Sequence, residues 1–195
     1  MMTQPNLLTQ RFRDALVFAA ELHAGQIRKG SGVPYIAHLL AVTSLVLEHG
    51  GSEDQAIAAL LHDAVEDQGG ADTRERIAQR FGETVARLVD GCTDTDLFPK
   101  PAWRVRKQAY LEHLRLAGED VRLISLSDKV HNARSILEDY RNQGDAVWER
   151  FKGGREGSLW YYHELASIFA LLGPFPLAHE LSRVVAELER LAREG

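Results

Sequence analysis

The residues best able to do chemistry lie together in the run Leu60-Leu61-His62-Asp63-Ala64-Val65-Glu66-Asp67. The run places one imidazole and three carboxylates in an otherwise apolar segment with a helical pattern. His62 and Asp63 are adjacent, about 100° apart around a helix, and can grip one ion only from a shared edge. Glu66 lies one turn after both, and Asp67 lies one turn after Asp63. Because buried unpaired charge is costly, such a cluster needs a cation, a proton or a solvent-filled cleft.

The helix that must carry this cluster is predicted to span residues 52–67. Ser52 is a good N-cap, Gln55 completes a capping box, and Gly69-Gly70 ends the helix. The carboxylates then lie near its C-terminal end, where the helix dipole disfavours negative charge. That position argues for a compensating metal ion, and the alternative is a solvated acidic helix end.

A divalent first-row metal needs about four to six ligands, so His62 and Asp63 require partners elsewhere in the chain. His38 is the best third ligand, because it follows a loop on an apolar helix. Asp128 is the fourth candidate, because an acid in so apolar a run needs a partner, either Lys129 or a metal. Five other histidines are expected to be ordinary hydrogen-bonded core or surface residues: His23, His49, His113, His163 and His179.

Length and composition limit the class of protein. A chain of 195 residues with 45% hydrophobic and 26% charged residues fits one globular domain with a substantial core. The net charge of −5 argues against a general nucleic-acid binder, and the single Cys92 excludes an internal disulfide framework. No signal peptide and no apolar run of membrane-spanning length is apparent. We therefore expect a cytoplasmic protein that binds neither nucleic acid nor membranes.

Hydrophobic periodicity predicts an all-α fold of roughly eight to ten helices, without strands or repeats. Asn6 or Thr9 is expected to cap the first helix. The loops are expected at residues 26–34, 90–101 and 144–157, and Gly173-Pro174 is expected to end the helix that precedes the last one. The clearest helical segments are residues 9–24, 35–49, 52–67, 73–81, 83–89, 102–117, 120–142, 158–172 and 177–193.

The order His38, His62-Asp63, Asp128 is similar to that of the HD metal-dependent phosphohydrolase superfamily. Three segments resemble the motifs of the guanosine tetraphosphate hydrolases of the RelA/SpoT type. They are Arg28-Lys29-Gly30-Ser31-Gly32-Val33-Pro34-Tyr35-Ile36-Ala37-His38, Leu61-His62-Asp63-Ala64-Val65-Glu66-Asp67 and Ser127-Asp128-Lys129-Val130-His131-Asn132-Ala133-Arg134. The chain departs from those motifs at Leu39, where proline often stands, and at Gln68, where threonine is usual.

The resemblance covers about residues 10–170 and implies a stand-alone small alarmone hydrolase, a stringent-response enzyme. It implies a single HD-type helical domain over residues 1–195, with a less typical C-terminal helix at 177–193. It also implies Mn²⁺ as cofactor, held by His38, His62, Asp63 and Asp128. Mixed imidazole and carboxylate ligands suit Mn²⁺ without selecting it over Fe²⁺, Co²⁺ or Zn²⁺.

The implied reaction is hydrolysis of the 3′-pyrophosphate of guanosine tetra- or pentaphosphate to GDP or GTP and pyrophosphate. Glu66 and Asp67 are the expected catalytic residues, placed to take a proton from the attacking water or to orient it. The expected substrate-binding residues are Arg28, Lys29, Lys107, Lys129, Asn132, Arg134 and Tyr162. The resemblance places Arg28 against guanine and Tyr162 by the base and ribose, whereas Trp160 is expected to pack in the core.

Two other functions remain open. The chain could be an HD phosphohydrolase for another phosphorylated nucleotide, such as a 5′-nucleotide or the 2′-phosphate of NADPH, or a nucleotide-sensing module without turnover. The expected partner in each case is a small nucleotide. The apolar stripe of the last helix either closes the core or buries against a second subunit in a homo-oligomer: Leu177, Leu181, Val184, Val185, Leu188 and Leu191.

Overall fold

The computed structural model describes residues 8–95, 99–173 and 175–194, and no strand is formed among them. This confirms the predicted all-α class. Ten α-helices and one 3-10 helix (Gly144–Arg150) follow one another along these residues. The α-helices are α1 (Gln10–Leu22), α2 (Ile36–Glu48), α3 (Glu53–Leu61), α4 (Ala64–Asp67), α5 (Gly70–Phe81), α6 (Glu83–Cys92), α7 (Trp103–Leu116), α8 (Glu119–Gln143), α9 (Gly154–Leu172) and α10 (Pro176–Glu194).

The described chain divides into two compact units. The first contains α1 to α6 and the chain from residue 118 to 124, at the start of α8. The second contains α7, α8 from Ser125, the 3-10 helix, α9 and α10. In the part of the chain described, no helix is both long and apolar enough to cross a membrane.

Helix α3 lies at the centre of the first unit, packed against α1, α2 and α6. Every residue from Gln55 to Leu61 is buried, and from Ala56 onward the segment is apolar on all sides. Its start is fixed locally: the Ser52 hydroxyl accepts from the Gln55 N–H, and the Gln55 side chain accepts from the Ser52 N–H. The predicted capping box is therefore confirmed, and it holds the beginning of the helix that leads to His62.

The corner between α2 and α3 is unusually tight. A β-carbon added at Gly51 would lie 2.4 Å from a methyl carbon of Val46 and 2.8 Å from the Val46 carbonyl oxygen. The preceding Gly50 has open space around it but a φ of +82°, which side chains rarely adopt. The two glycines thus serve the corner for different reasons, one steric and one conformational.

The prediction of one continuous helix over residues 52–67 is wrong, because α3 ends at Leu61 and α4 begins at Ala64. Between them Asp63 has φ −98° and ψ −3°, away from ideal helical values. The His62 ring nitrogen Nδ1 lies 2.8 Å from the Ala59 carbonyl oxygen, the acceptor that a continued helix would offer to the Asp63 N–H. A side chain of the candidate site therefore competes with the helix at the point where the helix breaks.

In the second unit, α9 packs against α7, α10 and the 3-10 helix. The last helix buries Leu177, Leu181, Val185 and Leu188 within this unit, so these four residues of its apolar stripe close the core, whereas Val184 and Leu191 are only partly buried. The expected loop over residues 144–157 is wrong, because Val147 and Trp148 are buried in the 3-10 helix and α9 already starts at Gly154.

The other boundaries agree with prediction to within a few residues, with α6 extending to Cys92 and α5 starting at Gly70. Thr9 caps α1, its hydroxyl accepting from the Arg11 N–H. The alternative cap Asn6, Pro174 and part of the expected loop at 90–101 lie outside the described residues.

Candidate metal centre

Three of the four predicted metal ligands meet in the first unit. The Nε2 atom of His62 lies 3.0 Å from Oδ2 of Asp63, and the Nε2 atom of His38 lies 3.6 Å from the same oxygen. Both imidazoles are buried, with ring centroids 5.2 Å apart, whereas Asp63 is half-buried. Two nitrogen donors therefore converge on a single carboxylate oxygen, although 24 residues separate the two histidines.

The hydrogen bonding of His62 fixes which of its nitrogens can act as a ligand. A carbonyl oxygen only accepts hydrogen bonds, so the contact with Ala59 requires the proton to be on Nδ1. In the neutral imidazole, Nε2 then keeps its lone pair and directs it toward the Asp63 carboxylate. With Nε2 unprotonated, two electron-rich atoms 3.0 Å apart need a shared positive charge, which a proton or a metal ion can supply. These residues therefore fit a divalent cation.

Asp128 is the predicted ligand in the second unit, where it lies buried on α8. Its Oδ2 accepts from the Lys129 ammonium at 2.6 Å, and its Oδ1 accepts from the Asn132 side-chain amide. Burial by itself would lower the pKa of Lys129, but Asp128, Tyr161 and Tyr110 raise it well above its usual value. Of the two partners that the sequence left open, Lys129 is present, and the carboxylate keeps further lone pairs for a metal.

The residues with donors suited to a metal ion are thus His38, His62 and Asp63 in the first unit and Asp128 in the second. Imidazole and carboxylate together suit divalent first-row metals. These are the residues that the sequence predicted as ligands, and their role as ligands stays a prediction.

The candidate catalytic acids lie on the short helix α4, one turn after the ligand pair. Asp67 Oδ2 accepts from the Gln26 side-chain amide at 2.8 Å, and Gln26 Oε1 in turn accepts from Gln68 at 2.5 Å. Although Asp67 keeps contact with solvent, desolvation and the Asp63 and Glu66 carboxylates raise its pKa, against the opposing effect of Gln26. Gln68, where the chain departs from the motif it resembles, therefore belongs to the network around Asp67.

Sequence reasoning missed Gln26, Tyr35 and the part played by His23. The His23 ring nitrogen Nδ1 lies 2.7 Å from Gln26 Oε1, and the Tyr35 hydroxyl donates to Asp63 at 2.6 Å. Their one signal in the sequence is that they flank the Gly-rich segment before His38. Neither glutamine nor tyrosine has a residue type that identifies such a role without tertiary contacts.

The Gly-rich segment is a tight turn that carries Arg28 and Lys29. A bridge pairs Ile27 with Pro34, and the Arg28 N–H donates to the Val33 carbonyl at 2.8 Å. The Arg28 guanidinium carbon lies 5.9 Å from the centroid of the Tyr35 ring, and Lys29 is exposed. The turn therefore presents two cations in the same unit as the histidine pair.

The remaining candidate substrate residues lie in the second unit. The Lys107 ammonium lies 4.9 Å from the centroid of the Tyr161 ring, and Tyr162 is buried beside Tyr161. The Arg134 guanidinium is paired with Glu180 of α10. Trp160 was expected to pack in the core, but it is only partly buried and lies under the Arg104 guanidinium.

The region that holds these residues is similar to a known protein family. A family model described as HD domain matches residues 15–159. The chain belongs to the HD domain family. The His62-Asp63 pair at the break between α3 and α4 therefore lies inside the HD region, together with His38 and Asp128.

Curated relatives of this HD chain include a protein of Xenopus tropicalis named guanosine-3′,5′-bis(diphosphate) 3′-pyrophosphohydrolase MESH1. It is 39% identical over 126 residues, which make up 63% of this chain and 68% of that protein. A Haemophilus influenzae protein named guanosine-3′,5′-bis(diphosphate) 3′-pyrophosphohydrolase is 37% identical over 126 residues, 62% of this chain but 18% of that protein. The chain thus spans less than a fifth of the length of such longer relatives.

Among solved structures, a metazoan ortholog of SpoT that hydrolyzes ppGpp aligns with a TM-score of 0.74 and 25% identity. The alignment covers 95% of this chain and 98% of that one. Together with the curated relatives, it confirms the resemblance to the guanosine tetraphosphate hydrolases that the three sequence motifs indicated.

Proposed function

We propose that this chain hydrolyses the 3′-pyrophosphate of guanosine tetra- and pentaphosphate, giving GDP or GTP and pyrophosphate. The observation that carries the proposal is the convergence of His38 and His62 on Asp63, inside a region that matches the HD domain. Relatives of similar length that are named for this hydrolysis, and the solved metazoan ortholog, support the same reaction.

The proposed cofactor is Mn²⁺, held by His38, His62, Asp63 and Asp128. A divalent ion in such a site supplies Lewis acidity toward a phosphoryl oxygen and toward water. The protonated Nδ1 of His62 keeps the Nε2 lone pair available for it, and Asp63 supplies negative charge next to both imidazoles. The proposed domain is a single HD-type domain over residues 1–195.

Glu66 and Asp67 are the proposed proton acceptors. Both lie one turn after the ligand pair, and a raised pKa makes Asp67 a better base than a fully solvated carboxylate. The hydrogen bond from Gln26 holds the Asp67 carboxylate in place. Such a pair can accept the proton of an attacking water as the bond between phosphorus and the leaving oxygen breaks.

The proposed ligand is a small, highly charged nucleotide. A chain with a net charge of −5 needs a local set of cations to bind it. Arg28 and Lys29 on the turn before α2, and Lys107, Lys129 and Arg134 in the second unit, are the proposed set. Asn132 is proposed to hydrogen-bond the nucleotide, and Tyr162 is proposed to lie by the base and ribose.

The test is pyrophosphate release from guanosine tetraphosphate by metal-stripped protein, with and without added Mn²⁺. Release that depends on Mn²⁺ and is lost in Asp63→Asn is the expected result. Metal uptake without release would contradict the alarmone reaction. The same protein would then be tried with 5′-nucleotides and with NADPH, and nucleotide binding without turnover of any of them would indicate a sensing module.

A further inference from the structure

The hydroxyl of Tyr35 makes the shortest described contact to the Asp63 side chain. It donates a hydrogen bond of 2.6 Å to Oδ2, the oxygen that lies 3.0 Å from His62 Nε2 and 3.6 Å from His38 Nε2. A single carboxylate oxygen therefore receives a neutral donor on one side and faces both imidazole nitrogens on the other.

The backbone fixes where this hydroxyl points. Tyr35 immediately precedes α2, and its carbonyl accepts from the His38 N–H at 2.9 Å. Residues three apart on a helix share one face, and the two rings meet edge to face with centroids 5.5 Å apart. The same short segment thus positions the candidate ligand His38 and the Tyr35 hydroxyl that donates to the candidate ligand Asp63.

The ring of Tyr35 is held from the preceding turn. The Tyr35 N–H donates to the Gln26 carbonyl at 2.9 Å, and the buried His23 ring stacks on the tyrosine at 5.3 Å with 19° between the planes. His23 is itself held by its contact with Gln26 Oε1. These contacts restrict the ring, so the hydroxyl is presented to Asp63 in a defined direction.

We propose that Tyr35 is a positioning residue, whose hydroxyl orients the Asp63 carboxylate for the metal ion without itself contacting metal or substrate. This inference rests on the proposed metal-dependent function. Asp63 has two equivalent oxygens and rotates about its terminal bond when nothing restrains it. A hydrogen bond to one oxygen selects the rotation in which that oxygen faces His38 and His62, so less entropy is lost when the ion binds.

The experiment is Mn²⁺ binding to metal-stripped Tyr35→Phe protein, measured from the electron paramagnetic resonance signal of free Mn²⁺. Phenylalanine keeps the ring and its stacking on His23 and removes only the hydroxyl. Because loss of a hydrogen bond to a metal ligand costs about 10- to 100-fold in affinity, the Kd should rise at least about tenfold. Asp63→Asn serves as the reference for loss of a ligand.

The matched control is Tyr140→Phe. Tyr140 is also buried and donates to a carboxylate, Asp145 Oδ1 at 3.2 Å, in the second unit and outside the proposed ligand set. Thermal melting of both metal-free variants measures the general cost of losing a tyrosine hydroxyl. A merely structural role for Tyr35 would lower the melting temperature and leave the Kd for Mn²⁺ unchanged.

Kinetics separate this inference from the proposed function. At saturating Mn²⁺, Tyr35→Phe should keep the KM for guanosine tetraphosphate, because the hydroxyl serves the metal ligand and not the nucleotide. A Kd within about twofold of wild type, or equal rises in Tyr35→Phe and Tyr140→Phe, would overturn the inference. Tyr35-dependent Mn²⁺ affinity in a protein that releases no pyrophosphate would support it and contradict the proposed reaction.

Discussion

Asp63 and Asp128 are two carboxylates proposed for the same task and held in opposite ways. Asp63 lies at the break between α3 and α4, half-buried, and its described donor is the neutral hydroxyl of Tyr35. Asp128 lies within the unbroken helix α8, buried, with the Lys129 ammonium 2.6 Å away. The described hydrogen-bond donor to Asp63 is neutral, whereas the Lys129 donor to Asp128 is an ammonium.

The two proposed ligands therefore differ in what they contribute to cation binding and to the stability of the metal-free protein. The described donor to Asp63 is neutral and does not cancel the negative charge of the carboxylate. Asp128 is already paired, so it contributes to the stability of its unit before any ion arrives. Removing one member of a buried ion pair leaves the other uncompensated, which is far more costly than removing a partly exposed carboxylate.

The largest expected effect comes from removing each carboxylate in turn. Asp63→Asn and Asp128→Asn should both reduce pyrophosphate release to background, because each removes a proposed ligand. Only Asp128→Asn should also lower the free energy of unfolding of the metal-free protein, by about 3 kcal/mol, because it leaves the largely buried Lys129 ammonium without its carboxylate partner. Urea titration beside the Mn²⁺ binding curve measures both.

Equal losses of stability in the two variants would contradict this prediction, because the Lys129 charge would then not need Asp128 as its partner. His163→Ala is the control, because His163 is exposed, is bonded to Glu189 and is not among the proposed ligands.

The next effect distinguishes the proposed ligand Asp63 from the proposed proton acceptor Glu66, both in the first unit. Glu66→Gln should leave the Kd for Mn²⁺ near wild type and reduce kcat by about 10²- to 10⁴-fold, because it removes a proton acceptor and no ligand. Single-turnover pyrophosphate release at saturating Mn²⁺ measures this. Near wild-type rates would remove Glu66 from the proposed mechanism.

A smaller effect compares one cation from each unit. Arg28→Ala should raise the KM about tenfold, corresponding to about 1.4 kcal/mol of lost binding. Arg134→Ala should raise it less, because the Glu180 carboxylate already neutralises much of the Arg134 charge. Steady-state kinetics at saturating Mn²⁺ provide the values.

Arg141→Ala is the matched control, being an exposed arginine of the same α8 that pairs with Glu187. An unchanged KM in Arg28→Ala would exclude Arg28 from the nucleotide site.

The smallest effect concerns stability and pH. Desolvation and nearby carboxylates raise the folded-state pKa of Asp67, so its ionisation favours the unfolded state as pH rises through that pKa. Asp67→Asn should therefore slightly stabilise the metal-free protein at neutral pH, with the gain disappearing in acid below the unfolded pKa. Melting temperatures across this pH range test the sign, and destabilisation at neutral pH would contradict it.

The sequence predicted features that depend on local chemistry. Ser52 and Gln55 predict the start of α3, because both halves of a capping box lie within four residues of the sequence. The break after Leu61 could not be predicted, because it depends on the direction in which the His62 ring turns. The motif resemblance supplied His38 as a partner for His62, but the support from Tyr35 and Gln26 arises from tertiary contacts.

The α2–α3 corner limits which variants of this chain can persist. At Gly51 even the smallest side chain would push against the Val46 backbone and so separate the helices that carry His38 and His62. Selection on a metal-dependent activity would therefore act on a position that carries no functional group. In a mutational scan, substitutions of Gly51 should reduce activity as strongly as substitutions of a proposed ligand. Unlike those, they should be partly rescued by a smaller residue in place of Val46.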